Sequence, residues 1–321
     1  MNRRDFIKNT TQFGLALSIT GLPLFAEDKN PFIKPFFKLS LAQWSLHRAI
    51  SEEKTLSGLD FAAKAKELGF EGIEYVSQLY ELEKERPYHS LKKLVKELHL
   101  RSADNGIQNV LIMVDGEGEL AATAKKTRTL AVSNHHKWVD AAEALGCHSI
   151  RVNLFGDGNE NDYEKWSTPA MDGLLRLSEY AAKSNIGVIV ENHGGLSSDI
   201  EKLTNVIKGV NMKNCGTLPD FGNFCVRREG GDRWATPCVA TYDRYKGVAE
   251  MMPFAKGVSA KSYDFDANGN ETTIDYLKML KIVKAANYKG FIGVEYEGNR
   301  LRELEGIVAT KALLLKLAEQ V

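Results

Sequence analysis

Between residues 36 and 318, a short apolar run stops on polar side chains and gives way to an amphipathic stretch, and it does so eight times. The runs fall at 36–46, 70–76, 110–114, 149–154, 186–191, 215–220, 255–261 and 291–295, with the length and β-branched content of strands. Helical patterns follow at 59–68, 90–98, 120–145, 169–184, 200–210, 245–252, 276–286 and 306–318, two of the earlier ones stopped by Gly69 and Gly146. Strands that alternate with helices make parallel βα units, because a parallel pair needs a long crossover. Eight such units close into a (β/α)8 TIM barrel, and 321 residues are enough to build one. The rival, an open doubly wound sheet, lacks its Gly-x-Gly-x-x-Gly between an early strand and its helix. No composition break or linker divides residues 30–321, which read as one domain.

Lys plus Arg and Asp plus Glu both total 42, so the formal net charge is zero. That balance offers no broad electrostatic footprint for nucleic acid or an anionic membrane. The N-terminus reads differently. Arg3 and Arg4 precede Phe6, Ile7 and Lys8, an apolar stretch follows at 13–25, and Ala26 closes it. Residues 1–26 resemble a twin-arginine export signal, which places the mature protein in the periplasm or otherwise outside the cytoplasm. The apolar stretch is short for a membrane span and no cysteine follows it for lipidation, so no stable membrane anchor is expected. In an oxidising compartment Cys225 and Cys238, which flank a polar loop, are candidates for a disulfide. Cys147 and Cys215 begin strands and read as small buried hydrophobes.

Successive strand residues face opposite sides, so each run has two faces. In 187–191 the phase that turns Glu191 inward also turns Gly187 and Ile189 inward, and sends Val188 and Val190 to the helices. The same phase turns in Glu74 and Gly72, Arg151 and Asn153, Ser259 and Lys261, and Glu295 and Gly293. A barrel core is normally filled by branched apolar residues, so polar inward residues near strand ends mark a solvated mouth where chemistry is placed. Glu74, Glu191, Asp220 and Glu295 converging on one cavity would repel one another unless a cation sits among them. Oxygen donors favour Mn, Mg or Co over a thiolate-type zinc site. Some of these carboxylates can instead pair with Arg151 or Lys261.

Three segments carry a family resemblance: Val190-Glu191-Asn192-His193, Leu218-Pro219-Asp220-Phe221-Gly222-Asn223 and Gly293-Val294-Glu295-Tyr296-Glu297-Gly298. With the eight βα units, they resemble the xylose isomerase-like TIM-barrel superfamily of sugar isomerases and epimerases. The resemblance implies that Glu191 and Glu295 bind a divalent metal and move a proton, and that Asp220 is a further ligand. Ser259 stands where many members carry a ligating histidine, leaving His193 or water to complete the shell, or Lys261 to take over part of the electrostatic role. The implied chemistry is proton abstraction next to a carbonyl, with Glu191 or Glu295 as general base and the metal or Lys261 stabilising the enediolate. Trp44 could stack on a sugar face, while Gln43, His47, Glu74, Arg151, Asn153, His193 and Asn223 could contact the substrate.

The expected partner is a small-molecule saccharide, non-phosphorylated because sugar phosphates are mainly cytoplasmic, and self-association stays open. A 3-keto-glycoside lyase would share the same enediolate. A nuclease of this superfamily would need a histidine-rich zinc cluster and a basic groove, and a sugar-binding barrel without catalysis is the remaining alternative.

Overall fold

A computed structural model of the chain describes residues 35–157 and 162–321; the twin-arginine segment at 1–26 lies outside the described residues. Eight parallel strands form the main sheet: β1 (Lys38–Ala42), β2 (Gly72–Val76), β3 (Gln108–Val114), β4 (Ser149–Val152), β5 (Gly187–Glu191), β6 (Cys215–Leu218), β9 (Val258–Ser262) and β10 (Phe291–Tyr296). Their order is β6-β5-β4-β3-β2-β1-β10-β9. The two ends meet through isolated bridges, Thr217 to Ala255 and Asp220 to Ser259. The sheet thus curls round as the alternating pattern predicts, and the β6–β9 seam lacks a continuous ladder. The helices are α1 (Phe61–Glu67), α2 (Pro87–Asp104), α3 (Lys125–Leu145), α4 (Tyr163–Ala182), α5 (Ile200–Val210), α6 (Arg244–Met251), α7 (Tyr276–Ala285) and α8 (Glu303–Ala318). None among the described residues is long and apolar enough to cross a membrane.

Strand phase decides where the core lies. Ile150, Val152, Val188, Val190, Val258, Ala260, Ile292 and Val294 belong to the large apolar layer between sheet and helices. Inside the ring a smaller plug of Val110, Leu111, Met113, Ile189, Leu218 and Phe291 fills the barrel. Gly293 leaves room for Glu74 there: a Cβ at that position would lie 2.6 Å from the Glu74 carboxylate. Helix ends follow local chemistry. The Asp243 and Asp275 carboxylates accept the first backbone N–H groups of α6 and α7, and Gly146 ends α3 in a left-handed conformation.

Three of the boundary differences from the sequence reading have a clear local cause. The first strand stops at Ala42, Gln43–Leu46 form a tight 3₁₀ turn and Arg48–Glu52 a wide π-helical turn. The Gln43 side chain accepts from Val76 N–H, and Ser45 Oγ donates to the Val294 carbonyl, which pulls the chain out of the sheet. Helix α4 begins ahead of Pro169, because Asp162 caps it. The polar loop at 221–237 contains half of a two-stranded antiparallel hairpin, β7 (Cys225–Arg228) and β8 (Cys238–Thr241). Cys225 and Cys238 join its strands as a disulfide, with Cα atoms 5.9 Å apart. Cys147 and Cys215 are free and buried.

Candidate active site

At the C-terminal ends of β5, β6 and β10, Glu191, Asp220 and Glu295 form a buried acidic triad that could hold a metal ion, with one oxygen of each within 4.8 Å of the others. Register places them. Asp220 bridges to Ser259, Gly293 pairs with Ser259, and Glu295 pairs with Lys261, so β9 delivers a hydroxyl and an ammonium directly among the acids. Ser259 Oγ lies 2.7 Å from both Asp220 Oδ2 and Glu295 Oε2. Lys261 Nζ lies 3.0 Å from Glu295 Oε1, 3.2 Å from Glu297 Oε1 and 3.9 Å from Asp220 Oδ2. On the other side Arg151 Nε is 2.8 Å from Glu191 Oε2. Asn223 donates to Glu191 Oε1 at 3.1 Å, and the backbone N–H groups of Gly222 and Asn223 donate to Asp220 Oδ1 at 2.8 Å.

A polar chain runs outward from Arg151. Its guanidinium donates to Asp115 Oδ1 (3.0 Å), Asn153 donates to the same oxygen (2.6 Å), and Asn153 Oδ1 lies 2.7 Å from His193 Nδ1. Because the Asn153 amide nitrogen is committed to Asp115, its oxygen is the acceptor for His193; Nδ1 carries the hydrogen, and Nε2 is left as an acceptor. The His193 ring packs against Trp234 at 4.8 Å and Phe155 at 6.0 Å, and the Arg233 guanidinium lies 4.2 Å over Phe155 while pairing with Glu119. Trp234 and Arg233 come from the segment joining β7 to β8. These groups line a cavity of about 630 Å³, together with Trp44, Arg151, Asn153, Asn223, Tyr263, Glu295 and Glu297.

Burial and charge split the acids. Burial raises Glu74 to about 8, partly offset by the hydrogen bond from Ser40. Burial raises Asp220 to about 8 against the pull of Lys261. It raises Glu191 to about 7, with Arg151 opposing. Glu295 goes the other way: burial opposes its charge, but the Lys261 ammonium and the Ser259 hydroxyl hold it below the usual carboxylate range. The single Ser259 hydrogen can serve only one of its two carboxylate neighbours, so one of those contacts needs a proton on a carboxyl. Burial and the nearby cations push His193 down to about 4, which keeps it neutral.

Most of the expected residues meet here, and some do not. Arg151, Asn153, His193, Asn223, Glu191, Asp220, Lys261 and Glu295 form one connected network, and Trp44 lines the cavity. Gln43 lies off the cavity wall, its amide spent on Tyr80 and Val76. His47 stacks on Trp44 with ring centroids 4.4 Å apart, and its Nδ1 lies 2.7 Å from the Trp44 carbonyl, so it props the tryptophan from behind. Glu74 sits deeper, accepting from Ser40 at 2.6 Å. Asn192 ties β5 to the Asp220 turn: it donates to the Asp220 and Asn223 carbonyls and accepts from Asp220 N–H. Asp115, Glu297, Phe155, Arg233 and Trp234 belong to the site without having been singled out. The Asp115-Gly116-Glu117-Gly118 run after an apolar strand is the signal that could have found the first of them.

Fold and site together define a parallel βα barrel with its polar groups at the strand ends. Within that class the chain belongs to the xylose isomerase-like TIM barrel family, whose model matches residues 62–317. The chain is similar to 3-keto-D-glucoside 4-epimerase YcjR from E. coli (14% identity, 87% of this chain and 99% of that one, TM-score 0.66). It is also similar to an L-ribulose 3-epimerase (14%, 88% and 95%, TM-score 0.67). A third similar structure is a xylose isomerase-like TIM barrel protein from Mycobacterium smegmatis in complex with magnesium (16%, 90% and 99%, TM-score 0.60). At these identities the likeness establishes the fold. No curated protein matches the sequence.

The triad has the spacing of a metal site, but the donor set around it fits a metal poorly. The position opposite Asp220 and Glu295 offers Ser259, a weak ligand, in place of an imidazole. Each triad carboxylate already has a fixed cation within 4 Å. A divalent ion on the same oxygens would share them with a buried ammonium, and charges of +2 and +1 about 4 Å apart repel by roughly 8 kcal/mol at an effective dielectric near 20.

Proposed function

We propose that this chain is a sugar isomerase or epimerase that moves a proton on the carbon next to a carbonyl of a non-phosphorylated keto-sugar. The observation that supports it best is the pair of buried carboxylates with opposed proton affinities, Glu191 raised and Glu295 lowered, each against its own cation. A carboxylate near neutral affinity can take a proton from carbon and give it back, and the ionised one beside it holds the Lys261 ammonium at the site. Ionised Glu191 takes the proton from carbon, and the carboxyl so formed returns it to the enediolate. Arg151 and Lys261 face the developing negative charge. His193 and Asn153 are fixed as hydrogen-bonding partners for hydroxyls, and Trp44 offers an apolar face to the ring. The Mn, Mg or Co ion expected from the crowding of carboxylates would be held by Glu191, Asp220 and Glu295; its donors fit poorly, and no step here depends on it.

The acids Asp115, Glu117, Glu119, Glu295 and Glu297 outnumber the arginines Arg151, Arg228 and Arg233 around the cavity, which disfavours a phosphate dianion. A 3-keto-glycoside lyase is the second reading. It is favoured by room beyond one sugar ring, walled by Phe155, Arg233 and Trp234. Elimination would start from the same enediolate. Incubating the protein with free ketoses and with 3-keto-glucosides, and following products by NMR, separates the two. A changed configuration or carbonyl position supports the isomerase, aglycone release supports the lyase, and no conversion of any of these sugars sinks both. The N-terminal pattern supports export through the twin-arginine route, so the working compartment is read as the periplasm.

A further inference from the structure

We infer that the Lys261 ammonium is the resident cation of this site and occupies the place that a divalent metal would otherwise fill among Glu191, Asp220 and Glu295. The inference rests on the proton-transfer reading for what the ammonium does, but not for where it sits.

Three independent features put it there. Lys261 faces inward from β9 beside Glu295 in register, is almost fully buried, and reaches Glu295 and Glu297 at 3.0 and 3.2 Å and Asp220 at 3.9 Å. Gly222 makes room for its stem, since a Cβ there would lie 2.7 Å from Lys261 Cγ. All six triad oxygens already have protein partners. Glu191 has Asn223 and Arg151, Asp220 has two backbone N–H groups and Ser259, and Glu295 has Ser259 and Lys261. Two donors fill Asp220 Oδ1; the Arg151 contact to Glu191 Oε2 is an ion pair without hydrogen-bond alignment, and each remaining triad oxygen has one donor and one lone pair left. A metal taking those lone pairs would share each carboxylate with a cation already within 4 Å.

Ser259 and Lys261 therefore act as a pair. The serine removes the nitrogen ligand and bridges two carboxyls, and the lysine, two residues on and on the same face, returns a positive charge. An ammonium has three donors. Two lie within reach of Glu295 and Glu297, which line the cavity, and the third is the one a substrate oxygen placed beside those carboxylates would meet.

The test is metal content of the full chain, expressed with added Mn²⁺, Mg²⁺, Co²⁺ and Zn²⁺, purified without chelator and measured by inductively coupled plasma mass spectrometry. Wild type is expected to carry well under one equivalent of any of them, and turnover on a keto-sugar is expected to survive dialysis against EDTA. The Ser259→His/Lys261→Ala double variant, which restores an imidazole and removes the ammonium, is expected to retain about one equivalent. Lys261→Met is expected to lose turnover by about 100-fold or more while keeping its circular dichroism spectrum. One tightly held equivalent in wild type, or a double variant that gains no metal, overturns the inference. If no keto-sugar is turned over at all, the proton-transfer reading fails and metal content alone still decides this one.

Discussion

In the proposed reaction Glu191 is the base, because burial leaves its affinity for a proton near neutrality while Arg151 keeps it oriented. Glu191→Gln keeps the shape and removes the base, so kcat is expected to fall by about 100-fold or more. A base must be ionised to accept a proton, so wild-type kcat/KM is expected to rise as pH increases through about 7. A pH–rate profile that is flat from 5 to 9 would remove Glu191 from that role. Glu74 gives the opposite kind of test. Its folded-state affinity is raised to about 8 by burial, so its contribution to stability is present below the unfolded carboxyl range and is lost as pH rises through 8. Glu74→Gln, always neutral, is expected to melt progressively higher than wild type as pH goes from 5 to 8. Equal melting differences at both ends contradict a buried neutral Glu74. Residues of this kind were legible in the sequence because period-two alternation is local: one phase turns Glu74, Arg151, Glu191, Lys261 and Glu295 in. Gln43 and His47 were placed less well, since the strand ends at Ala42 and alternation says nothing about the turns that follow.

The β7–β8 hairpin is the element that closes the mouth, carrying Arg233 and Trp234 over Phe155 and His193. It was invisible as a pair of strands because each is four residues long, one holds Arg227 and Arg228, and neither alternates. The two cysteines were the legible part. A disulfide across a separation of 13 residues restricts the unfolded loop by about 3 kcal/mol on the chain-entropy model. Replacing both cysteines by serine is expected to speed tryptic cleavage at Arg227, Arg228 or Arg233 and to raise KM several-fold, with a smaller change in kcat. Unchanged cleavage and KM would show that the hairpin holds its place without the bond. The β6–β9 seam is the other element with a consequence: Phe221 N–H to the Ser259 carbonyl, Ser259 N–H to Pro219 and Lys256 N–H to Thr217 are the backbone bonds that tie it, yet Ser259 and Asp220 belong to the site.

At the scale of the whole molecule, barrel and chemistry share one design: eight strands aim their ends at one mouth, and the residues that depart from a plain apolar core are the ones that gather there. The barrel was readable because every unit repeats the same strand–helix handover. The exact charge balance of the site was not, because the Lys261–Glu295 and Arg151–Glu191 pairs depend on register between strands that are distant in sequence or on side-chain reach. The reading of residues 1–26 makes a cellular prediction. Wild type should be recovered from the periplasm shortened at about Ala26, and Arg3→Lys/Arg4→Lys should hold it in the cytoplasm; export of the double variant contradicts a twin-arginine route. The most direct test of the chemistry is solvent-deuterium incorporation at the carbon next to the carbonyl of a keto-sugar, followed by ¹H NMR in D₂O with EDTA present. Wild type is expected to exchange that hydrogen and Glu191→Gln to fail; no exchange by wild type, or equal exchange by both, contradicts proton transfer through this site.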